Sequence, residues 1–135
     1  GQCFHWKTIT EDKDNSKQST SAWGTHNATE WLGTLRVSKT GQSIVVTIRE
    51  TPVTTLYRVL HAPPELDVHQ FLWDYFQLDE SLVELYDHWS QRDERLKKIA
   101  KCIRGVRIIN QDPWECLASF ICSSNNNIPR ITKIL

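Results

Sequence analysis

Leu60-His61-Ala62-Pro63-Pro64-Glu65-Leu66-Asp67-Val68-His69-Gln70-Phe71-Leu72 is where the hydrophobic period of this chain changes from two residues to about 3.6. Before it, Phe4, Trp6 and then Thr8 alternate with His5 and Lys7 over residues 3–9, as a half-buried strand requires. Residues 31–37 and 44–49, joined by the turn Lys39-Thr40-Gly41, read as a hairpin, and residues 56–60 as a further strand. An antiparallel sheet follows. Residues 10–20 hold no hydrophobe and read as a flexible surface loop.

Beyond the two prolines the pattern is helical. Pro64 suits a first helical turn, with Leu66, Val68, Phe71, Leu72 and Tyr75 or Phe76 forming the apolar stripe. Asp79 or Ser81 can cap a second helix whose Leu82, Leu85, Tyr86 and Trp89 share one face. A third helix is predicted over residues 93–102, with Leu96, Ile99 and Ala100 inward, the lysines outward and Gly105 at its end. Asp112-Pro113 is an N-cap followed by Pro at N1, and residues 114–122 are apolar almost all round. Such a helix belongs inside a bundle. Sheet then helices, without internal repeats, gives an α+β unit leading into the start of an all-α unit.

With 39% hydrophobic and 24% charged residues the composition is that of a soluble globular protein, and no apolar run approaches the ~20 residues that span a bilayer. No membrane role is expected. The chain lacks Met, opens on Gly1, and ends in what reads as a helix cut in mid-turn, so it is read as a piece of a longer protein. Cys3, Cys102, Cys116 and Cys122 have no CxxC spacing and are read as buried reduced thiols in a cytosolic or nuclear protein. The sequon Asn27-Ala28-Thr29 is then accidental. His5, His61, His69 and His88 lack ligand spacing, and no metal is expected.

The net charge of zero conceals an asymmetry. Residues 1–90 carry 7 Lys/Arg against 12 Asp/Glu, whereas residues 91–135 carry 9 against 4, giving −5 and +5. Arg92, Arg95, Lys97, Lys98, Lys101, Arg104 and Arg107 form a cluster that can neutralise phosphates or can simply be a solvated helix face.

The stretch most informative about function is Cys122-Ser123-Ser124-Asn125-Asn126-Asn127-Ile128-Pro129-Arg130, where an apolar helix runs into small polar residues and then a Pro able to open the next helix. It is read either as a plain helix–turn–helix corner or as a projection into a duplex. An Asn amide offers donor and acceptor to a base edge, and Arg a fork of donors.

Together with Gly105-Val106-Arg107, Gln111-Asp112-Pro113, Glu115-Cys116-Leu117 and Ser119-Phe120-Ile121, this stretch resembles the eukaryotic 8-oxoguanine DNA glycosylase family. Gly1-Gln2-Cys3-Phe4-His5-Trp6 resembles the same family's N-terminal motif, and Tyr75-Phe76-Gln77-Leu78-Asp79, Leu85-Tyr86 and His88-Trp89 match between the two ends. The resemblance covers nearly the whole chain and is weakest over residues 10–30. It implies a TATA-binding-protein-like N-terminal domain over residues 1–104, an antiparallel sheet with flanking helices. Residues 105–135 would begin an all-α helix–hairpin–helix glycosylase domain.

The resemblance also implies roles. The Gly1 carbonyl would accept a hydrogen bond from N7 of the oxidised guanine; N7 accepts in normal guanine and donates only after oxidation, so one carbonyl can separate them. Phe120 would line the damaged-base pocket, although an aromatic on an apolar helix is ordinarily core. Asn125 would fill the space left by the extruded nucleotide, and Arg130 would hydrogen-bond the orphaned cytosine. The family's nucleophile is a Lys in a later helix–hairpin–helix module, assisted by an Asp beyond it; the amine attacks sugar C1′ and forms a Schiff base that permits strand scission. Lys133, three residues past Arg130, does not fit that position. The expectation is a bifunctional glycosylase/AP lyase, acting as a nuclear or mitochondrial monomer without cofactor on duplex DNA containing 8-oxoguanine:cytosine. This piece alone should be inert. Its rival is a catalytically silent homologue that binds DNA or protein; a carboxylate-pair hydrolase lacks any recognisable nucleophile setting.

Overall fold

The computed structural model describes residues 4–9 and 29–135. The expectations for Cys3 and for the loop at residues 10–20 lie outside these. The chain forms two compact units, one from Gly1–Glu65 with Asp112–Leu135, the other from Leu66–Gln111.

The first unit holds strands β1 (Trp6–Ile9), β2 (Glu30–Arg36), β3 (Ser43–Glu50) and β4 (Thr55–His61), paired antiparallel in the order β1-β2-β3-β4. The period-two stretches form the expected sheet. In the β2–β3 turn the Val37 carbonyl accepts from the Gly41 amide at 2.8 Å, and Gly41 has φ +68°, a left-handed value that glycine adopts without a Cβ clash. Thr51 Oγ1 ties the β3–β4 turn, accepting from the Thr54 amide at 3.0 Å.

Leu35, Val37, Ile44 and Val46 form the buried core of the sheet. Along β3 the buried positions then switch phase, from Ile44 and Val46 to Thr47 and Arg49. On the β4 side the register shifts between Val45 and Val46: Val45 pairs with His61 and Val46 with Val59, so Leu60 is passed over. Gly33 pairs with Trp6, whose ring lies over it, and a Cβ at Gly33 would lie 2.6 Å from Trp6 Cζ3. Gly33→Ala is therefore expected to displace the indole and destabilise the unit by ~1–3 kcal/mol, the usual range for overpacking. Denaturant unfolding of the variant against the parent would measure this.

The same unit contains α4 (Pro113–Ser123) and α5 (Ile128–Ile134), which pack together, with Ser119 and Ile131 buried. Between α4 and the residues leading into β1, His5 Nε2 stands 3.3 Å from a Glu115 carboxylate oxygen. It is a contact of ion-pair range without hydrogen-bond geometry. The expectation that α4 is buried all round is corrected. Trp114, Leu117, Phe120 and Ile121 are exposed, because the described residues of this unit cover only one flank of an all-apolar helix.

The second unit holds α1 (Val68–Tyr75), α2 (Leu82–Arg92) and α3 (Glu94–Cys102). Pro64 precedes the first helix instead of opening it, because Asp67 is the N-cap, its carboxylate accepting from the Gln70 amide at 3.0 Å. Ser81 caps α2, and Asp79 is otherwise engaged, accepting from the Trp73 indole at 2.8 Å. Asp93 ends α2 and caps α3. The inward placement of Leu96 and Ile99 is also corrected, since α3 packs chiefly on α2 and both side chains stay exposed.

Residues 106–110 clamp the α1–α2 turn. Gln77 stands at φ +50°, and its carbonyl and that of Glu80 accept from Arg107 Nη1 at 2.8 and 2.9 Å. Gln77 Nε2 donates to the Ile108 carbonyl at 2.8 Å, and the Tyr86 hydroxyl accepts from the Val106 amide at 2.9 Å. Arg107 thus leaves the phosphate-binding set, because its guanidinium is engaged by backbone carbonyls.

Candidate nucleic-acid interface

α4 begins where the sequence placed it. Asp112 is buried; its Oδ1 accepts from the Trp114 and Glu115 amides at 3.0 and 3.1 Å, and Pro113, lacking an N–H, stands at N1. A hydrogen bond from the Ser38 side chain, the largest influence, holds the Asp112 carboxyl below the usual carboxylate range. The Glu115 and Trp114 amides and the charge of Arg36 act in the same direction, against the opposing effect of burial. One carboxylate therefore fixes the start of α4 to the end of the β2–β3 hairpin.

At the other end of α4 the three consecutive asparagines divide their work. Asn126 Nδ2 donates to the Cys122 carbonyl at 2.9 Å, satisfying one of the last carbonyls of α4. Asn127 caps α5, its Oδ1 accepting from the Arg130 amide at 3.1 Å, with Pro129 in the first turn. Asn125 stands at φ +49°, a left-handed conformation that Asn tolerates better than most residues. Its side chain is exposed and makes no hydrogen bond among the described residues. Both sequence readings of the corner are therefore compatible with its structure: two amides build the turn, and the third projects from it. Asn127→Ala is expected to cost about 1 kcal/mol through the lost cap, readable as a lowered midpoint in thermal or denaturant unfolding.

The structure brings three of the four proposed site residues into one helical hairpin. Phe120 on α4 is 72% exposed, so it is not a core residue of this chain. Asn125 lies in the corner, and Arg130 in the first turn of α5 is exposed with no side-chain partner among the described residues. Gly1 lies outside the described residues. Sequence reasoning missed the pairing of His5 with Glu115 and that of Ser38 with Asp112; neither leaves a signal in local spacing.

Among the described residues no group of three or more His, Cys, Asp or Glu side chains is placed to hold a metal, and no helix is long and apolar enough to cross a membrane. Cys102 is exposed and Cys116 and Cys122 are half-buried, all as thiols. Their full burial, expected from apolar neighbours, is corrected for the same reason as α4 and α3: their helices are covered on one flank.

Residues 1–117 match the family described as 8-oxoguanine DNA glycosylase, N-terminal domain. The match takes in the sheet, α1 to α3 and the opening of α4, and the chain belongs to this family. Two longer relatives carry the particular names. The N-glycosylase/DNA lyase OGG1 of Arabidopsis thaliana is 48% identical over 64 residues, a stretch covering 47% of this chain and 18% of that protein. The N-glycosylase/DNA lyase of Saccharomyces cerevisiae is 52% identical over 64 residues, covering 47% of this chain and 16% of that protein. The matched stretch thus spans less than a fifth of either relative.

Proposed function

We propose that this chain is the front part of a bifunctional DNA glycosylase/AP lyase that removes 8-oxoguanine opposite cytosine, acting as a monomer in the nucleus or mitochondrion. The reading is carried by the family match over residues 1–117, taken with the unpartnered Asn125 and Arg130 just beyond it. Residues 1–104 correspond to the TATA-binding-protein-like domain, and residues 105–135 open the helix–hairpin–helix domain.

The division of labour follows from side-chain chemistry. Extruding a nucleotide costs a few kcal/mol in lost pairing and stacking. Asn125, with its side chain uncommitted, takes the vacated space and offers both a donor and an acceptor there. Arg130 presents its guanidinium fork to the acceptors of the orphaned cytosine, which offsets part of the cost and reads the opposite base. On the extruded side, the Gly1 carbonyl accepts from N7–H of the lesion while Phe120 contributes an aromatic wall. Base release and strand scission belong to the Lys and Asp of the later module, with the Lys amine forming the Schiff base at C1′.

Borohydride trapping of the intact protein on an 8-oxoguanine:cytosine duplex tests the reading. A covalent protein–DNA adduct is expected on the lesion duplex and not on the undamaged one. Failure to trap under conditions where the lesion duplex is bound would replace it with a silent DNA-binding homologue.

A further inference from the structure

The helix α3 carries cations that no acidic side chain among the described residues compensates. Both acids of this stretch are engaged: the Asp93 carboxylate accepts from the Arg95 and Leu96 amides at 2.6 and 3.0 Å, and Glu94 binds Lys97 at 2.9 Å. Arg95, Lys98 and Lys101 on α3, with Arg92 at the end of α2 and Arg104 just past α3, are exposed, and among the described residues none of them has an ion-pair partner. Arg95, Lys98 and Lys101 recur at intervals of three, the spacing that places side chains on one helix face about 4.5 Å apart along the axis. Like charges so spaced repel one another. A polyanion lying along the face would relieve that repulsion.

We propose that this face of α3 is a second DNA-binding surface, one that takes the phosphate backbone of the duplex without regard to sequence. It rests on the glycosylase reading and adds a separate surface to the Asn125–Arg130 corner. Duplex DNA is favoured as the occupant because its phosphates present about one negative charge per 1.7 Å of axis, a density that can engage several cations of a nine-residue helix at once. The basic excess is also concentrated in residues 91–135, while residues 1–90 are net acidic. A phosphate surface holds the protein on undamaged DNA while the corner samples base pairs. Arg107 takes no part, since its guanidinium donates to the Gln77 and Glu80 carbonyls.

The test is the salt dependence of binding by the intact protein to an undamaged duplex. Neutralising Arg95, Lys98 and Lys101 together (R95Q/K98Q/K101Q) is expected to flatten the slope of log K against log salt by about 2 to 3, since each phosphate neutralised by a cation contributes close to 0.9. The charge-keeping variant R95K/K98R/K101R should retain the parental slope, which separates a charge effect from a folding defect. Borohydride trapping at saturating protein should be unchanged in both. An unaltered slope in the neutralised variant, with trapping intact, overturns this proposal and leaves the glycosylase reading standing. Loss of trapping in the parent overturns the glycosylase reading instead. Anionic phosphatidylserine vesicles bound by the parent and released by the triple substitution, with the DNA slope unmoved, would reassign the face to lipid.

Discussion

Arg130→Ala in the intact protein is expected to narrow the preference for cytosine over adenine opposite 8-oxoguanine by roughly 5- to 150-fold, the equivalent of ~1–3 kcal/mol of lost base readout. The physical ground is that the Arg130 side chain has no structural duty: it is exposed and unpartnered among the described residues, while its backbone amide, which the variant keeps, serves the Asn127 cap. Stability should therefore hold while discrimination falls. Arg130→Lys keeps the charge but loses the planar fork, so it should restore affinity for the duplex better than it restores the choice of base. Excision rates on paired substrates differing only in the opposite base decide the matter. An unchanged ratio in Arg130→Ala would remove the residue from the reading of cytosine.

The second large effect is structural. Asp112→Ala removes the acceptor of two backbone amides, strips the Ser38 side chain of its partner and takes away the carboxylate that Arg36 faces. Hydrogen bonds to charged groups are each worth more than neutral ones, and a helix cap alone is worth ~1 kcal/mol, so a loss of about 2–4 kcal/mol is expected. Asp112→Asn keeps an acceptor for the cap and should lose less. The carboxyl is held below the usual value of about 4, so the folded state binds its proton less readily than the unfolded chain does. Its contribution is present in full above that usual value, and it is lost as the pH falls through the lower folded value. The gap in unfolding midpoint between parent and Asp112→Asn should accordingly close as the solution is acidified below pH ~4. A gap that stays constant into acid would mean that the charge at this position is not what stabilises the helix start.

Much of this was legible in the residues alone. Period-two stretches, the break at Pro63-Pro64 and the Asp112-Pro113 cap are local signals, and the strands and helices formed where those signals lay. The register shift between β3 and β4 was not legible, because the skipped Leu60 shows only in how the two strands pair. Nor could spacing tell which asparagine projects, since capping depends on where each helix ends in space; Asn126 and Asn127 have the same side chain as Asn125 and different backbone positions. The basic cluster looked uniform in sequence, yet Arg107 is withdrawn by carbonyls some thirty positions earlier, those of Gln77 and Glu80. The expected burial of α4, of Leu96 and Ile99 and of the cysteines failed for a related reason: periodicity reports which face seeks cover, not whether cover is supplied.

The interleaved order of the two units affects how the chain assembles. Leu66–Gln111 is a single uninterrupted stretch, so no pairing inside that unit closes a loop longer than the stretch itself. The unit holding the sheet is completed only when the residues from Asp112 onward, made after the whole of Leu66–Gln111, have joined it, and that closure spans the longer loop. The corner carrying Asn125 and Arg130 belongs to the unit drawn from two distant stretches, so a substitution that slows the folding of Leu66–Gln111 is expected to slow its completion as well.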